Sequence, residues 1–268
     1  MIVLLLTASI GLCLVMIAGW AVQRAADNGG WTDVFWTFGT GLAGVAVALY
    51  PLRGASPSAR QELVGALVAI WSLRLGGHMA LRVAGSPEDA RYAELRTRWG
   101  AGFQRMMARF LPTQAIASIP LLASIMLAAR NPSPGLGIAD AVGAGVLVVA
   151  VLGEGAADRQ LSRFKAQAPQ GARVCDVGLW SWSRHPNYFF EWLGWLAYPV
   201  IALAPPDGWP LGLVALAGPI AMYVFLNFGT GLPPLEAHML RTRGAAFGDY
   251  QRRTSAFFPL PPRPGRTA

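Results

Sequence analysis

Residues 1–23 read MIVLLLTASIGLCLVMIAGWAVQ, without one charged side chain. A helix needs about 20 mostly apolar residues to cross a bilayer, and this run supplies them. The rest of the chain has the same texture. Of its 268 residues, 54% are hydrophobic and 13% charged. A soluble domain carries about 25% charge. The ten Trp, twelve Phe and six Tyr are spread along the whole length, so neither disorder nor low complexity accounts for the balance. The fold class that remains is an all-α polytopic integral membrane protein.

Further runs repeat the signal. Residues 34–52, 110–129 and 208–235 are also free of charge. Residues 63–83 hold Arg74 and His78, residues 136–157 hold Asp140 and Glu154, and residues 188–204 carry Glu191 in their first turn. Seven spans result. No basic residue precedes the first apolar run, so it is expected to be a span rather than a cleaved leader. Threading seven spans with the N-terminus outside and the C-terminus cytoplasmic puts 18 of the 22 basic residues on the inner side. Arg53, Arg60 and Arg130 fall outside, and Arg74 lies within a span. Cytoplasmic loops collect Lys and Arg, so the bias supports that orientation. The expected organisation is one membrane domain, 1–268. Spans 1–4 (1–130) form a substrate-side half, and spans 5–7 with their cytoplasmic loops (131–268) form a cofactor-side half.

The net charge of +8 is then an inner-face property matched to anionic lipid. A basic chain also raises nucleic-acid binding, but the charges are scattered over separate loops, and no nucleic-acid partner is expected. Cys13 lies in the first span and Cys175 in a cytoplasmic loop, so no disulfide is implied. With His78, His185 and His238 the only histidines, a metal site is not expected either.

Ionisable groups in spans default to functional hypotheses. The threading gathers many of them at one inner depth. Asp33 opens span 2. Arg74 and His78, four apart, share a face of span 3. Glu154 and Asp158, also four apart, sit near the inner end of span 5. Asn187, Tyr188 and Glu191 open span 6, and Asn227 lies near the inner end of span 7. Singly, each reads as a cap or a snorkelling side chain. Together they read as a polar cavity open to the cytoplasm. Asp140 falls at the opposite, outer interface.

Residues 158–187, DRQLSRFKAQAPQGARVCDVGLWSWSRHPN, follow span 5. The first part, through Lys165, reads as a continuation of that helix, which Pro169 and Gly171 then break. Arg159, Arg163, Lys165, Arg173 and Arg184 suit phosphates, for which the guanidinium fork is well shaped. Pro186 fits the first turn of span 6, whose N-terminus offers N–H groups to an anion. The competing reading is a basic interfacial loop, with Trp180 and Trp182 in the aromatic belt. Residues 39–44, GTGLAG, match GxGxxG, but they lie mid-span with no preceding strand. They read as small residues at helix contacts.

A resemblance carries the reading further. GLWSWSRHPNYFFEW (178–192), preceded by GEGAADRQLSRFK and followed by PLEAHMLRTRGAAFGDYQRRTSAFFP, resembles the steroid 5α-reductase family, most closely its bacterial branch. The similarity is specific over 153–259 and weaker at WSLRLGGHMALR (71–82) and EDARYAELRTRWG (88–100). It implies a membrane reductase, of the bacterial inner membrane, whose NADPH lies in a cytoplasm-facing cavity and whose lipophilic enone enters from the bilayer. It implies nucleotide contacts from Asp158, Lys165, Arg184, His185, Asn187, Tyr188, Glu191, Glu236, His238, Arg241 and Arg243, and the polar cavity with its basic loop adds Glu154, Arg159, Arg163, Arg173, Trp180 and Asn227 to the expected cofactor-binding set. The family's animal enzymes hold the steroid carbonyl with a glutamate and a tyrosine. Asp33 stands as counterpart of the first, and Arg74 or His78 takes the work of the second, making these three the expected catalytic residues.

The expected reaction is NADPH-dependent reduction of the C4–C5 double bond of a 3-oxo-Δ4 steroid or similar enone. Hydride goes to the β carbon and a proton to the α carbon. RHPxY motifs also resemble those of isoprenylcysteine and phospholipid methyltransferases, which use S-adenosylmethionine. Those enzymes show a paired Glu-Glu where this chain reads Leu235-Glu236-Ala237. A third reading is a non-enzymatic lipid-binding membrane protein. Membrane lipids are expected neighbours, and no obligate protein partner is implied.

Overall fold

The computed structural model of the chain describes residues 1–51, 56–167, 174–203 and 209–263. Local chemistry sets the ends of the first three helices, α1 (Ile2–Ala25), α2 (Trp31–Leu49) and α3 (Ala59–Ala84). Pro51 stands just past α2, where its ring cannot continue a helix. Ser58 opens α3 with a capping box. Its hydroxyl accepts from Gln61 N at 3.3 Å, and Gln61 Oε1 accepts from Ser58 N at 3.0 Å. The Gln61 amide also donates to Ala48 O (2.9 Å) and Tyr50 O (3.1 Å), carbonyls left open at the end of α2.

The chain continues through α4 (Ala90–Trp99), α5 (Phe103–Ala117), α6 (Ile119–Ala129), α7 (Ile138–Gln167), α8 (Leu179–Trp182), α9 (Pro186–Trp195), α10 (Ala197–Ala202), α11 (Ala217–Phe228) and α12 (Leu232–Arg253). Gly100, at φ +48°, turns the chain between α4 and α5, a left-handed position that favours glycine. Pro120 sits in the first turn of α6. No strand occurs among the described residues, so the all-α expectation holds. As anticipated, α7 carries on past the bilayer-length run and reaches Gln167. Arg53, Arg173, Pro169 and Gly171 lie outside the described residues.

Among the described residues, six helical stretches are long and apolar enough to cross a membrane: Ile2–Ala25, Trp31–Leu49, Ala59–Ala84, Arg91–Ala129, Ile138–Gln167 and Pro210–Arg253. The chain is thus built as a membrane protein. The seventh run expected, 188–204, is not one long helix. It forms α9 and α10, parted at Leu196, and each alone is too short to span.

The chain divides into two compact units. The first comprises Met1–Leu147 and Trp195–Ala221. Here α2 lies against α3 in antiparallel register. A Cβ on Gly30 would meet Val83, one on Gly41 would lie 2.0 Å from Ser72 Oγ, and one on Gly44 would meet Val68 at 3.0 Å. Gly39 faces α1 in the same way, with Leu12 and Val15 both 2.8 Å from its ideal Cβ. The GTGLAG run is therefore a helix-packing element, as expected. Residues 121–129 of α6 are buried all round, as a helix apolar on every side should be. Trp71 packs edge-on to Trp36 and Trp195 at 6.3 and 5.1 Å.

Asp140, expected at an outer interface, is 3% exposed and pairs with Arg60 from α3. Arg60 Nε and Nη2 donate to its two carboxylate oxygens at 2.8 and 3.0 Å, Nη1 donates to Asn131 O and Ser133 O at 3.0 and 2.6 Å, and Nη2 also donates to Gly135 O. All five guanidinium N–H groups are used.

The second unit comprises Val148–Gly194 and Met222–Ala268. The C-terminal half of α7 packs on α9 so closely that a Cβ on Gly153 would lie 2.4 Å from the Phe190 ring. The α8 turn is tied to α7 by Trp180 Nε1, which donates to Ala157 O at 3.0 Å, and by Leu179 N, which donates to Gln160 Oε1 at 2.9 Å.

Candidate functional site

In the second unit, Arg184 and His185 lead directly into α9, whose first residues are Pro186, Asn187 and Tyr188. The chain around Arg184 is pinned to α12 and to the segment that follows. Arg184 N donates to Ser255 O at 2.8 Å, Ser183 Oγ donates to Phe257 O at 2.8 Å, and the Tyr250 hydroxyl donates to Trp180 O. On this frame Arg184 and His185 meet Glu236 of α12. Arg184 Nε and Nη2 reach its two oxygens at 2.8 and 3.1 Å, His185 Nε2 reaches Oε1 at 2.9 Å, and Gln251 Nε2 donates to Oε2 at 2.9 Å. Arg184 Nη1 donates to Gln251 O (3.2 Å) and Thr254 O (2.6 Å). Four of the five guanidinium N–H groups are thereby committed within the protein.

His185 is 4% exposed. Burial disfavours its charged form and outweighs the pull of Glu236, so its pKa falls below the ordinary value. A neutral imidazole beside an ionised carboxylate must donate through Nε2, which leaves Nδ1 as an acceptor. The tautomer follows from the bonding network. Tyr188 stacks on the imidazole, its ring centroid 5.7 Å away.

The other expected cofactor residues of this unit fall into two sets. Glu154, Asp158 and Glu191 are buried acceptors, with Asn187 half-buried one turn before Glu191. Arg159, Arg163, Lys165 and Arg241 are exposed cations. Trp180 is buried in its bond to α7 rather than displayed in an interfacial belt. Asn227 spends an amide hydrogen on Tyr223 O of its own helix at 3.0 Å. His238 and Arg243 are half-buried on α12. Beside these stand rings that the sequence did not single out. Phe189, Trp192, Tyr223, Phe257 and Phe258 form one cluster with centroid separations of 5.2–6.1 Å.

In the first unit, Asp33 sits in the first turn of α2 and is fully engaged. Arg91 Nη2 reaches Oδ2 at 2.7 Å, and the Tyr92 hydroxyl donates to Oδ1 at 2.8 Å. Arg91 is held in turn by Asp89, the N-cap of α4, through Nε at 3.0 Å. Tyr92 is 4% exposed and its ring covers Gly29, where a Cβ would lie 2.4 Å from it. The α2–α3 register sets Asp33 level with Ala80, close in depth to His78 and a turn or more from Arg74, both half-buried on α3. Sequence reasoning missed Tyr92 and Gln251. The available signal for Tyr92 was one phenol set among the charges of 88–98.

Neither the curated proteins nor the solved structures provide a match to the chain. A family profile does match, across residues 19–254, taking in both units and every expected site residue. The chain belongs to that family, whose description reads "Protein of unknown function (DUF1295)".

Proposed function

We propose that the chain is an NADPH-dependent membrane reductase of the steroid 5α-reductase type, saturating the double bond of a lipophilic enone such as a 3-oxo-Δ4 steroid. The observation that carries this reading is the Asp33–Tyr92 pair. A phenol 2.8 Å from a carboxylate is the carboxylate–tyrosine arrangement that the family resemblance implies for holding a substrate carbonyl. Methyl transfer has no need of it. Tyr92 takes the role expected of Arg74 or His78, and of those two His78 lies close in depth to Asp33.

The nicotinamide supplies hydride to the β carbon when NADPH is bound. Negative charge then develops on the carbonyl oxygen, and the single Tyr92 O–H hydrogen, turned from Asp33 Oδ1 to the bound substrate, lowers that barrier. Asp33 and Arg91 fix the phenol in place. The α carbon receives its proton from solvent or a side chain. The residues of the second unit fit the cofactor: exposed Arg159, Arg163 and Lys165 for phosphates, and buried Asp158 and Glu191 with half-buried Asn187 for ribose or carboxamide groups. Arg173 completes the expected set. We further read the broken pair α9–α10 as the remaining crossing. Its 186–202 run matches the lower end of the bilayer range, and it keeps most arginines on one side with the N-terminus out and the C-terminus in. The active site then opens to the cytoplasm of a bacterial inner membrane.

The test uses detergent-purified protein. Denaturation followed by mass spectrometry identifies any released nucleotide, and incubation with NADPH and a 3-oxo-Δ4 steroid gives a product two hydrogens heavier. Tyr92→Phe keeps NADPH binding and loses about 10²-fold or more in kcat. Release of S-adenosylmethionine with no reduction makes the chain a methyltransferase and ends the reading.

A further inference from the structure

Helices α1 and α5 pack antiparallel, and two polar contacts fix their register. Gln23 Nε2 donates to Gln104 Oε1 at 2.7 Å, and Trp20 Nε1 donates to Gln104 O at 3.2 Å. Next to these bonds, Ile17, Trp20, Ala108, Leu111 and Pro112 line an apolar cavity of about 170 Å³. Pro112 has no N–H, so it cannot serve the Ala108 carbonyl one turn back. Arg24 follows Gln23 and Arg105 follows Gln104, which sets both cations at one end of the cavity. Each is an extension of the lining. Ile17, Trp20 and Arg24 are spaced i, i+3, i+7 on α1, and Arg105, Ala108 and Pro112 are spaced likewise on α5. Arg24, Arg105 and Arg109 are all exposed, and the Arg24 guanidinium stands 5.5 Å from the Trp20 ring centroid. In the other direction the α1 surface is Ile10, Leu14 and Ile17, each more than half exposed.

An occupant of this groove needs a hydrocarbon chain at the Ile17 end and an anion at the Arg24 end. We propose that the α1–α5 groove is a binding site for an anionic phospholipid. Its acyl chain lies along Ile17, Leu111 and Pro112, and its phosphate lies between Arg24 and Arg105. The chemistry is matched part by part. Guanidinium groups take phosphate oxygens in pairs. An indole with its N–H already bonded suits the glycerol level of the interface. Basic clusters at the ends of spanning helices select anionic head groups. The site lies wholly in the first unit and is independent of the reductase reading.

The experiment is native mass spectrometry of the detergent-purified protein, titrated with phosphatidylglycerol, phosphatidylcholine and diacylglycerol of identical chains. Phosphatidylglycerol is retained in preference to both. Arg24→Gln weakens its retention about fivefold and the Arg24→Gln/Arg105→Gln pair about thirtyfold. Both side chains are exposed, so the thermal melting of these variants stays at the wild-type value, and a second variant, Ala108→Trp, blocks the groove without touching the arginines. Equal retention of the three lipids by the wild type, or unchanged retention by the double variant, overturns the proposal.

Discussion

Replacing Arg184 by lysine separates a structural clamp from a phosphate contact. In the structure, Arg184 fills two oxygens of Glu236 and two backbone carbonyls, at 2.6–3.2 Å. Lysine keeps the charge but has three donors on a single nitrogen and no fork. It cannot reach Glu236 and the carbonyls of Gln251 and Thr254 together. The pair is largely buried, with side-chain exposures of 11% and 17%. Breaking a buried pair costs about 3–5 kcal/mol, and the retained charge places Arg184→Lys near the low end, about 3 kcal/mol. For a chain of this length that lowers the melting temperature by roughly 6–12 °C, measured in detergent with no nucleotide present. NADPH and NADH then lose affinity together, because the whole turn before α9 loosens. A variant that melts like the wild type yet binds NADPH weakly would refute the clamp and return Arg184 to the phosphates.

Four further outcomes follow from the packing and the charges. Gly41→Val loses about 1–3 kcal/mol of stability through overpacking against Ser72. Gly77→Ala, with nothing within 4 Å of its Cβ, gains roughly 0.5–1 kcal/mol; melting curves of the two variants read both signs. Arg60→Met leaves Asp140 buried without its partner and costs about 3–5 kcal/mol, whereas the double change Arg60→Met/Asp140→Leu recovers most of it, as a double-mutant cycle would record. Burial alone would raise the Asp89 carboxyl, but the charge and hydrogen bonds of Arg91 prevail and hold it at about 2. A depressed carboxyl stabilises the fold above its unfolded value and ceases to do so as pH falls through the folded one. Protection factors across residues 84–92, taken against intrinsic exchange at each pH, therefore hold above about pH 4 and fall between about pH 4 and 2.

What the sequence disclosed was whatever a single helix carries in its own composition. The charge-free run 1–23 became α1, the stretch through Lys165 became the end of α7, Pro186 opened α9, and GTGLAG faced its neighbours across short distances. What it did not disclose depends on partners far apart in the chain. Tyr92 meets Asp33 across 59 positions, Arg60 meets Asp140 across 80, and Glu236 meets Arg184 across 52. No local periodicity encodes such pairings. The parting of α9 from α10 had a local signal that a hydropathy reading passes over, since Pro199 has no N–H to give the Trp195 carbonyl one turn back. In the site, the motif located the turn and named Glu236, but its spacing could not say that Arg184 and Glu236 satisfy each other.

The Arg60–Asp140 pair also constrains the order in which the chain can settle into a bilayer. Arg60 heads α3, while its counter-ion heads α7 and is synthesised 80 residues later. At about 5–20 residues per second, that delay is roughly 4–16 s. During it, the guanidinium has no carboxylate and none of the carbonyls of Asn131, Ser133 or Gly135 to satisfy it. An unpaired charge is costly in hydrocarbon, so the head of α3 stays in contact with water until α7 arrives. Biogenesis of the first unit therefore has a late closing step, and a ribosome stalled before residue 140 leaves Arg60 reachable by a water-soluble arginine reagent that the finished protein excludes.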